Sequence, residues 1–445
     1  MLTKLIDIQE RVSSKKLNVL IATVFAPGHV NPALAIASEL IRRGHSISWY
    51  TGKAFQQTIE KLGARFLPMQ AAKDLDHPEI QEIFKTRAKY EGIEQYRYSV
   101  NRLFVDQIPT QYADLRALLE EGDASYDLLL TDNGMLGALP FEHARKVPWA
   151  VFGIMPLNVQ SIDTAPFRLG LKPSSSFFGR LRNRILNWYV NDHFFRGLQK
   201  NASAQLMSLG FSPFRRSFLS HMVTGPDMFF QATSEDFEYK RSDLPSKVKF
   251  VGPLLPEVSK GQELPKWWKD LDSGKPIIHV AQGTVDNNDF NKLVLPTIRA
   301  FAKEDVLVVV STGKKPLAEF PMKDLPANVR IAEFIPYDLL MKKVDVMITN
   351  GGYGGVQFAL ANGVPLVVAA NTEEKPEIGQ RVVWSGAGIF YRKSYPSERQ
   401  LKKAVTRILK DPAYKNNAVR IQKSYEQYDT TRLIAENIEK YIAER

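Results

Sequence analysis

Cysteine is absent from the 445 residues of this sequence, which excludes disulfide bonds and cysteine-bound metals. No apolar run is long enough to span a bilayer, and residues 1–16 form a polar leader without the apolar segment of a secretory signal. Acidic side chains are the minority, 48 against 59 Lys and Arg. We therefore expect a cytoplasmic protein whose positive field attracts polyanions, and the lack of a long basic and aromatic stripe disfavours nucleic acid.

Two series of alternating strands and helices are present instead. Residues 17–22 and 47–50 are apolar runs typical of buried parallel strands, with an alanine-rich helix predicted between them at residues 33–43. A second series starts with the apolar run at 275–283. This order predicts an α/β protein with two doubly wound sheets. The predicted division is a leader at 1–16, an N-terminal domain at 17–240, a linker at 241–265, a C-terminal domain at 266–425 and a final helix at 426–445.

A glycine-rich turn follows the predicted strand at residues 346–348. Asn350, Gly351, Gly352, Gly354 and Gly355 lie within six residues, and a helix is predicted directly after them. Glycines let a phosphate approach the backbone, and the free N–H groups of a helix N-terminus bind anions. The glycine order fits neither the dinucleotide fingerprint nor the P-loop. The turn favours a phosphate-bearing ligand, and a tight turn without a ligand is the alternative.

His29 and Asp132 are predicted to lie at one edge of the N-terminal sheet. Each follows an apolar strand, and ligands bind at the carboxyl ends of the strands in open α/β sheets. A carboxylate beside an imidazole fixes its tautomer and stabilises its protonated form, which suits a general base. The other six histidines are expected on the surface or in the core. For Asp132, capping of a predicted helix at residues 134–146 is the alternative.

Together these features resemble the nucleotide-sugar-dependent glycosyltransferases of the GT-B fold, the UDP- and dTDP-glycosyltransferase family. The resemblance rests on the glycine turn, the Gly-Val-Pro at 363–365, the Glu374-Lys375 pair and the histidine turn at 27–32. It implies two facing Rossmann-like domains with a crevice between them, the N-terminal one for the acceptor and the C-terminal one for the donor. The final helix would cross back onto the N-terminal domain.

The resemblance also implies roles for individual residues. His29 would be the catalytic base and Asp132 its support. Phe334 would stack on the nucleotide base and Ile335 would hydrogen-bond its edge through the backbone, although core packing of Phe334 is an equal alternative. The implied donor-binding residues are Gly283, Thr284, Phe334, Ile335, Asn350, Gly351, Gly352, Gly354, Gly355, Glu374 and Lys375.

The implied reaction is a metal-independent, inverting hexosyl transfer, with no cofactor besides the nucleotide-sugar co-substrate. The amides after Asn350 and the helix dipole would compensate the charge of the leaving diphosphate, and Thr284 could add a hydroxyl. Two Asp-Leu-Asp segments, at 74–76 and 270–272, could mimic an acidic metal motif. Their charged, helix-like surroundings favour a solvated surface instead.

The donor side departs from many relatives at two positions. UDP-sugar members often carry Glu eight residues after the start of the turn, where it binds both ribose hydroxyls, but this chain has Phe358. A buried 2′-hydroxyl without a partner costs about 1–3 kcal/mol, which favours deoxyribose and a dTDP-sugar such as dTDP-rhamnose. If Phe358 turns into the core, UDP stays open. Lys375 stands where relatives often have Gln and cannot accept a hydrogen bond, so sugar recognition should differ.

Residues 154–222 are rich in apolar side chains and suit an apolar or aromatic acceptor such as a flavonoid. Within them, residues 177–190 are basic, aromatic and helix-periodic; packing over the acceptor pocket is preferred to peripheral membrane contact. Other functions stay open. These are a UDP-glucose-dependent enzyme acting on a macrolide or lipid, a nucleotide-sugar 2-epimerase, and a non-catalytic partner protein, which the presence of His29 and Asp132 disfavours.

Overall fold

The computed structural model describes residues 15–122, 124–215, 217–255, 263–283, 287 and 289–445, and its strands form two sheets. The first sheet has seven strands in the order β3-β2-β1-β4-β5-β6-β7, and the second has six in the order β10-β9-β8-β11-β12-β13. All pairings are parallel. The strands are β1 (Asn18–Ala22), β2 (Ser46–Thr51), β3 (Arg65–Pro68), β4 (Leu128–Asp132), β5 (Trp149–Gly153), β6 (Met228–Gln231), β7 (Val248–Phe250), β8 (Ile277–Ala281), β9 (Leu307–Ser311), β10 (Val329–Ala332), β11 (Val346–Thr349), β12 (Leu366–Ala369) and β13 (Gly388–Tyr391).

Helices cover both faces of each sheet, which explains why the central strands are apolar along their whole length. The helices in the described part of the chain are α1 (Pro27–Arg42), α2 (Gln56–Lys61), α3 (Pro78–Arg87), α4 (Gly92–Ser99), α5 (Ile108–Arg116), α6 (Phe141–Ala144), α7 (Phe177–Tyr189), α8 (Arg196–Ser208), α9 (Phe218–Thr224), α10 (Val294–Phe301), α11 (Tyr337–Leu340), α12 (Tyr353–Ala361), α13 (Lys375–Trp384), α14 (Glu398–Lys410), α15 (Pro412–Tyr425) and α16 (Thr430–Ala443).

Both sheets have the strand order of a Rossmann-like doubly wound fold. The first three strands are added toward one edge of the sheet, and from the fourth strand on the order reverses toward the other edge. Those reversal points lie between β1 and β4 in the first sheet and between β8 and β11 in the second. The predicted fold class, two Rossmann-like α/β units, is confirmed. Among the described residues, no helix combines the length and apolar character needed to cross a membrane.

Two helix predictions were wrong in their limits. The first helix starts at Pro27 and not near residue 33, because proline fits the first helical turn, where its missing N–H needs no partner. His29 therefore lies inside the helix and not in the loop before it. The helix predicted at 134–146 is replaced by a 3-10 turn at Leu136–Ala138 and the single turn of α6, because Pro140 interrupts the segment.

A buried ionic cluster joins the two halves below the crevice. Arg381 of α13 donates to Glu238, which follows β6, at 2.6 Å, and to Glu377 at 3.0 Å. Arg241 donates to Glu238 at 3.1 Å. Burial raises the pKa of Glu238, but Arg381 and Arg241 more than offset it, so that the pKa lies below its ordinary value. Glu238 is therefore ionised at neutral pH, and its pair with Arg381 ties α13 to the first half.

Candidate active site

His29 and Asp132 are in direct contact at the carboxyl edge of the first sheet. Asp132 ends β4, and His29 lies in the first turn of α1, which follows the neighbouring β1. His29 Nδ1 lies 2.8 Å from Asp132 Oδ1. The buried carboxylate also accepts the N–H groups of Val24 at 2.8 Å and Gly134 at 2.5 Å, so that it is held in place. With Nδ1 donating to Asp132, Nε2 is the ring nitrogen that can accept a proton.

The charges around His29 keep its pKa high. Burial is the largest influence and lowers the pKa of His29, but the charge and hydrogen bond of Asp132 and the charge of Glu374 raise it above its ordinary value. Burial and Glu373 raise the pKa of Glu374 in turn, and Lys375 and His29 counteract them in part. His29 from the first half and Glu374 from the second therefore interact across the crevice.

Capping of a following helix was the alternative role predicted for Asp132. Its Oδ1 accepts the N–H of Gly134 two residues on, so the side chain stabilises the turn after β4 while it binds His29. No regular helix starts there for it to cap, since the next helical segment is the 3-10 turn at Leu136–Ala138. The carboxylate serves the imidazole and the local turn together.

The glycine turn connects β11 to the N-terminus of α12. Gly351 has φ +81°, and a Cβ there would lie 2.9 Å from Val368 Cγ1, so only glycine fits. Gly352 precedes α12, and no described atom lies within 4 Å of a Cβ built at Gly352 or Gly354. Asn350 anchors the turn, because its Nδ2 donates to the Gln282 carbonyl at 2.6 Å. The helix N-terminus thus borders open space, as an anion site requires.

The loops beside this turn carry the other predicted donor residues. Gly283 has φ +75°, and a Cβ there would lie 3.9 Å from Asn350 Oδ1. Phe334 is 51% exposed, with Lys314 Nζ 5.9 Å from its ring centroid, so it is not a core residue and is free to stack. Ile335 is buried beside it. The predicted role of Thr284 lies outside the described residues.

Phe358 lies in the core of the second half. It is buried on α12, and its ring packs edge-on against Tyr337 at 5.9 Å between centroids. Tyr337 follows the Phe334–Ile335 loop, and its hydroxyl lies 3.0 Å from His279 Nε2. This is the arrangement in which a group other than residue 358 meets the ribose, so UDP stays open as the donor nucleotide.

Side chains of the first half hold Glu373, the residue before the Glu374-Lys375 pair. Arg168 Nε donates to the Glu373 carbonyl at 2.7 Å, and Arg87 pairs with the Glu373 carboxylate at 2.5 Å. Lys375 is buried, with Nζ 3.3 Å from Glu373. These contacts bring the predicted sugar-binding residues to the crevice mouth. Arg168 was missed from sequence, because its partner is 205 positions away.

Aromatic residues surround the first-half side of the crevice. The Phe104 ring lies 6.4 Å from the His29 ring, and Tyr96 lies under the Arg168 guanidinium at 4.0 Å. A small cavity of about 50 Å³ lies beside Tyr96. Its lining includes Tyr96, Val159, Phe167, Asn187, Val190 and Phe195. The lining mixes aromatic, aliphatic and polar side chains, but the cavity is smaller than the space that a drug-sized ligand fills.

The two Asp-Leu-Asp segments are used elsewhere. Asp270 pairs with Arg330 at 2.5 Å, Asp272 pairs with Lys343, and Asp74 accepts the N–H groups of Lys53 and Leu75. Within the described ranges, no group of three or more His, Asp or Glu residues is placed to hold a metal.

The fold and the site define a class of protein: two Rossmann-like units, with a His–Asp pair at the sheet edge of one and a glycine turn at a helix N-terminus in the other. Solved structures share this fold, including the glycotransferase of kitacinnamycin, with a TM-score of 0.72, 20% identity and coverage of 96% of this chain and 99% of that one. The spinosyn rhamnosyltransferase SpnG, complexed with thymidine diphosphate, has a TM-score of 0.65, 16% identity and coverage of 95% and 100%.

Sequence comparison establishes the family. Residues 294–440 match the C-terminal domain of the erythromycin biosynthesis protein CIII-like family. The 4′-demethylrebeccamycin synthase of Lentzea aerocolonigenes is 43% identical over 92% of this chain and 96% of its own. UDP-glycosyltransferase 2 of Phaeomoniella chlamydospora is 34% identical over 97% of both chains. The chain belongs to the nucleotide-sugar-dependent glycosyltransferases of the GT-B fold; it is an inverting glycosyltransferase of the natural-product type, as the sequence predicted.

Proposed function

We propose that this enzyme transfers a hexose from a dTDP-sugar, such as dTDP-rhamnose, to a hydroxyl of an aromatic small molecule such as a flavonoid. One observation carries the proposal: the His29–Asp132 pair lies at the crevice within the electrostatic reach of Glu374. Glu374 is adjacent to Lys375, whose Cβ lies 3.6 Å from a Cβ built at Gly351. A base, a sugar-binding pair and an anion-binding turn are therefore contiguous.

The proposed step is a single displacement. His29 Nε2 takes the proton of the acceptor hydroxyl, and the acceptor oxygen forms a bond to the anomeric carbon. The bond from the anomeric carbon to the diphosphate oxygen breaks, and the diphosphate leaves with the electron pair. The attacking and leaving oxygens lie on opposite sides of the carbon, so the configuration inverts. Asp132 stabilises the imidazolium that forms.

The leaving diphosphate is stabilised by α12. The first free N–H groups of that helix, and the positive end of its dipole, border the open space around Gly352 and Gly354. Fixed donors aimed at developing negative charge lower the barrier without reorganisation. This proposed step needs no metal, since the protein supplies the positive potential.

Thymidine is the proposed nucleoside because of two structural neighbours. Phe358 is buried against Tyr337, so residue 358 itself no longer argues against a ribose 2′-hydroxyl. Two structural neighbours hold thymidine diphosphate, SpnG and VinC. UDP is the competing candidate, because a relative at 34% identity is named a UDP-glycosyltransferase.

The acceptor proposal rests on the aromatic surroundings of His29. Phe104 beside His29 and the Tyr96–Phe195 ring pair offer aromatic contacts. The relative at 43% identity is named for 4′-demethylrebeccamycin. An aromatic acceptor with one hydroxyl at Nε2 of His29 fits these rings better than an aliphatic macrolide or lipid.

The base assignment is tested with His29→Ala. We expect turnover to fall by roughly 10²–10⁴-fold, the contribution of a positioned base, while nucleotide affinity measured by calorimetry is unchanged. Asp132→Asn should cost less. His143→Ala, an exposed histidine, is the matched control and should keep full activity. A loss of only a few-fold in His29→Ala would refute the assignment. Interconversion of nucleotide sugars without an acceptor would indicate an epimerase. Absence of turnover with every donor tested would indicate a non-catalytic protein.

Donor preference is tested by competition. Inhibition constants for dTDP and UDP are measured side by side against one acceptor, and dTDP should bind more tightly. If UDP binds tenfold tighter than dTDP to the unmodified enzyme, about 1.4 kcal/mol, the proposed preference for thymidine is wrong.

A further inference from the structure

Helix α7, Phe177–Tyr189, has its polar face buried and its apolar face in solvent. Gly179, Asn183 and Asn187 are the buried positions. Asn183 Nδ2 donates to the Ile162 carbonyl at 3.0 Å, and Asn187 Nδ2 donates to the Thr164 carbonyl at 3.3 Å. These bonds fix the helix to the loop beneath it by its polar side. The hydrogen bonds therefore fix which side of α7 faces the protein. In an ordinary surface helix the apolar side is buried, whereas here the buried side is polar.

The exposed side of α7 is a continuous aromatic and aliphatic surface, which we call the α7 face. Its six side chains are each 46 to 79% exposed: Phe177, Phe178, Leu181, Ile185, Trp188 and Tyr189. At about 100° per residue they fall within an arc of roughly 120°. Single exposed apolar side chains need no explanation, but a contiguous apolar patch marks an interaction surface. The prediction that this segment packs over the acceptor pocket accounts only for its C-terminal end, where Asn187 and Val190 line the small cavity beside Tyr96.

Positive charge flanks the α7 face on both sides. On the same helical projection, Arg182 lies just beyond one border of the arc and Arg184 just beyond the other. The helix itself, residues 177–189, contains three arginines, Arg180, Arg182 and Arg184, and no Asp or Glu. Arg180 pairs with Asp163 at 2.8 Å, so Arg182 and Arg184 are the two that flank the face. Arg182 also donates to the Lys172 carbonyl at 2.9 Å, which brings Lys172 to the same edge.

From this arrangement we propose that the α7 face docks on an anionic lipid bilayer, with the helix lying flat in the headgroup region. A flat interfacial helix needs an apolar arc for the acyl boundary, arginines at its edges for lipid phosphates, and aromatic rings at the headgroup level. All three are present. The proposal concerns only this surface and does not depend on which sugar or acceptor the enzyme uses.

A second copy of the chain fits the α7 face less well. A symmetric dimer would place the same surface on both partners, so each row of arginines would face its own copy. Like charges opposed across an interface are unfavourable, and this stretch has no acidic residue to pair with them. The charge pattern complements phosphate headgroups and not itself.

Docking is tested with the full-length enzyme and vesicles of phosphatidylcholine, with or without phosphatidylglycerol. We expect cosedimentation with the mixed vesicles, weakening as salt rises, and little with phosphatidylcholine alone. The double variant Phe178→Ser, Trp188→Ser should lose cosedimentation and keep nucleotide binding. Leu317→Ser, Leu409→Ser removes two exposed apolar side chains elsewhere and should bind like the unmodified enzyme. Absence of binding to the mixed vesicles at low salt would overturn the proposal.

Charge and depth are tested separately. Arg184→Glu should weaken partitioning by roughly an order of magnitude, whereas Arg399→Glu, an exposed arginine on α14, should not. Brominated lipids should quench tryptophan fluorescence, and Trp188→Phe should abolish most of that quenching while vesicle binding persists. Undiminished quenching in Trp188→Phe would contradict the placement of the helix.

Light scattering tests the alternative occupant. A concentration-dependent dimer of the unmodified enzyme that is lost in Phe178→Ser, Trp188→Ser would show that a second copy covers the α7 face.

Discussion

Gly134 is the residue that allows His29 and Asp132 to touch. A Cβ at this position would lie 2.7 Å from His29 Cε1 and 2.8 Å from Asp132 Oδ1, both too close for real contacts. Adding a methyl group there must displace the imidazole or the carboxylate. The geometry of the pair therefore depends on a residue with no chemistry of its own.

The first prediction concerns this glycine. Gly134→Ala should lower kcat by roughly 10²-fold or more, because a displacement of the base of about 1 Å has that cost, while nucleotide affinity stays the same. Gly197→Ala on α8 is the control, since its Cβ would meet only Arg97 Nη2 at 3.8 Å. Steady-state kinetics and calorimetry on both variants check it. Full activity in Gly134→Ala would mean that the His29–Asp132 contact is not used in turnover.

The second prediction concerns the pH dependence of kcat/KM. His29 must be neutral to accept a proton, so activity should rise with pH through its pKa, which Asp132 and Glu374 hold above the ordinary value against the lowering effect of burial. Asp132→Asn removes a raising influence, so the acidic limb of the profile should move to lower pH while the plateau falls. A shift to higher pH, or none, would show that another group governs the limb.

At the scale of elements, the N-terminus of α12 is a place where helix stability and diphosphate binding favour different residues. Gly352 is the N-cap residue of α12, with extended backbone angles of φ −61° and ψ 131°. Because glycine has no side chain, the helix has no side-chain cap hydrogen bond there. Asp and Asn are preferred at such positions, so either should stabilise the helix, although by only about a few tenths of a kcal/mol relative to glycine. A diphosphate bound at the same N–H groups would be repelled by a carboxylate and not by an amide.

The third prediction follows from that conflict. Gly352→Asp should keep or raise the melting temperature and weaken dTDP binding at least tenfold. Gly352→Asn, matched in size but neutral, should show the same stability and a smaller loss of affinity. Thermal unfolding and calorimetry on the pair check it. Equal dTDP affinity in Gly352→Asp and the unmodified enzyme would mean that the diphosphate lies elsewhere.

Elements with a local signal were predicted well from the sequence. The apolar runs that became β1, β4, β8 and β11, and the glycine turn after β11, are set by burial and by backbone angles that only glycine adopts. The orientation of α7 was not predictable, because its periodicity is the same whichever face is buried. Hydrogen bonds from Asn183 and Asn187 to a distant loop decide that orientation.

At the scale of the whole molecule, contacts between the halves were invisible in the sequence. Arg381 and Glu238 are 143 positions apart, and nothing local to either residue identifies its partner. The same holds for Arg168 and the Glu373 carbonyl at the crevice. Such contacts arise only when both sheets are in place. The resemblance to a family gave the residues of the site, but not the side chains that hold the crevice together.

The last helix shows how the two halves are tied. Ile434, Ala435 and Ile438 of α16 are buried in the core of the first half, although the helix follows the second half in the chain. The Glu439 carboxylate accepts hydrogen bonds from Arg43 Nε at 2.7 Å and Arg43 Nη2 at 2.6 Å. Its Oε1 also lies 2.9 Å from His45 Nε2. Burial raises the pKa of Glu439, but Arg43 and His45 lower it below its ordinary value.

The fourth prediction is that Glu439→Gln loosens this connection. The variant should lose about 1–3 kcal/mol of unfolding free energy, because a bidentate, largely buried carboxylate is replaced by an amide. Hydrogen exchange should quicken in both α16 and α1. Glu436→Gln on the same helix removes an exposed pair with Arg432 and should change stability by less than about 0.5 kcal/mol.

The pH dependence of this effect gives a sharper test. A carboxylate whose folded pKa is depressed contributes stability above its unfolded pKa, about 4.3, and loses it as pH falls through the folded value. The stability difference between the unmodified enzyme and Glu439→Gln should therefore be full at neutral pH and shrink in acid, where Glu439 is protonated and neutral like glutamine. Denaturation at several pH values measures it. A difference that stayed constant into acid would mean that Glu439 acts through packing and not through its charge.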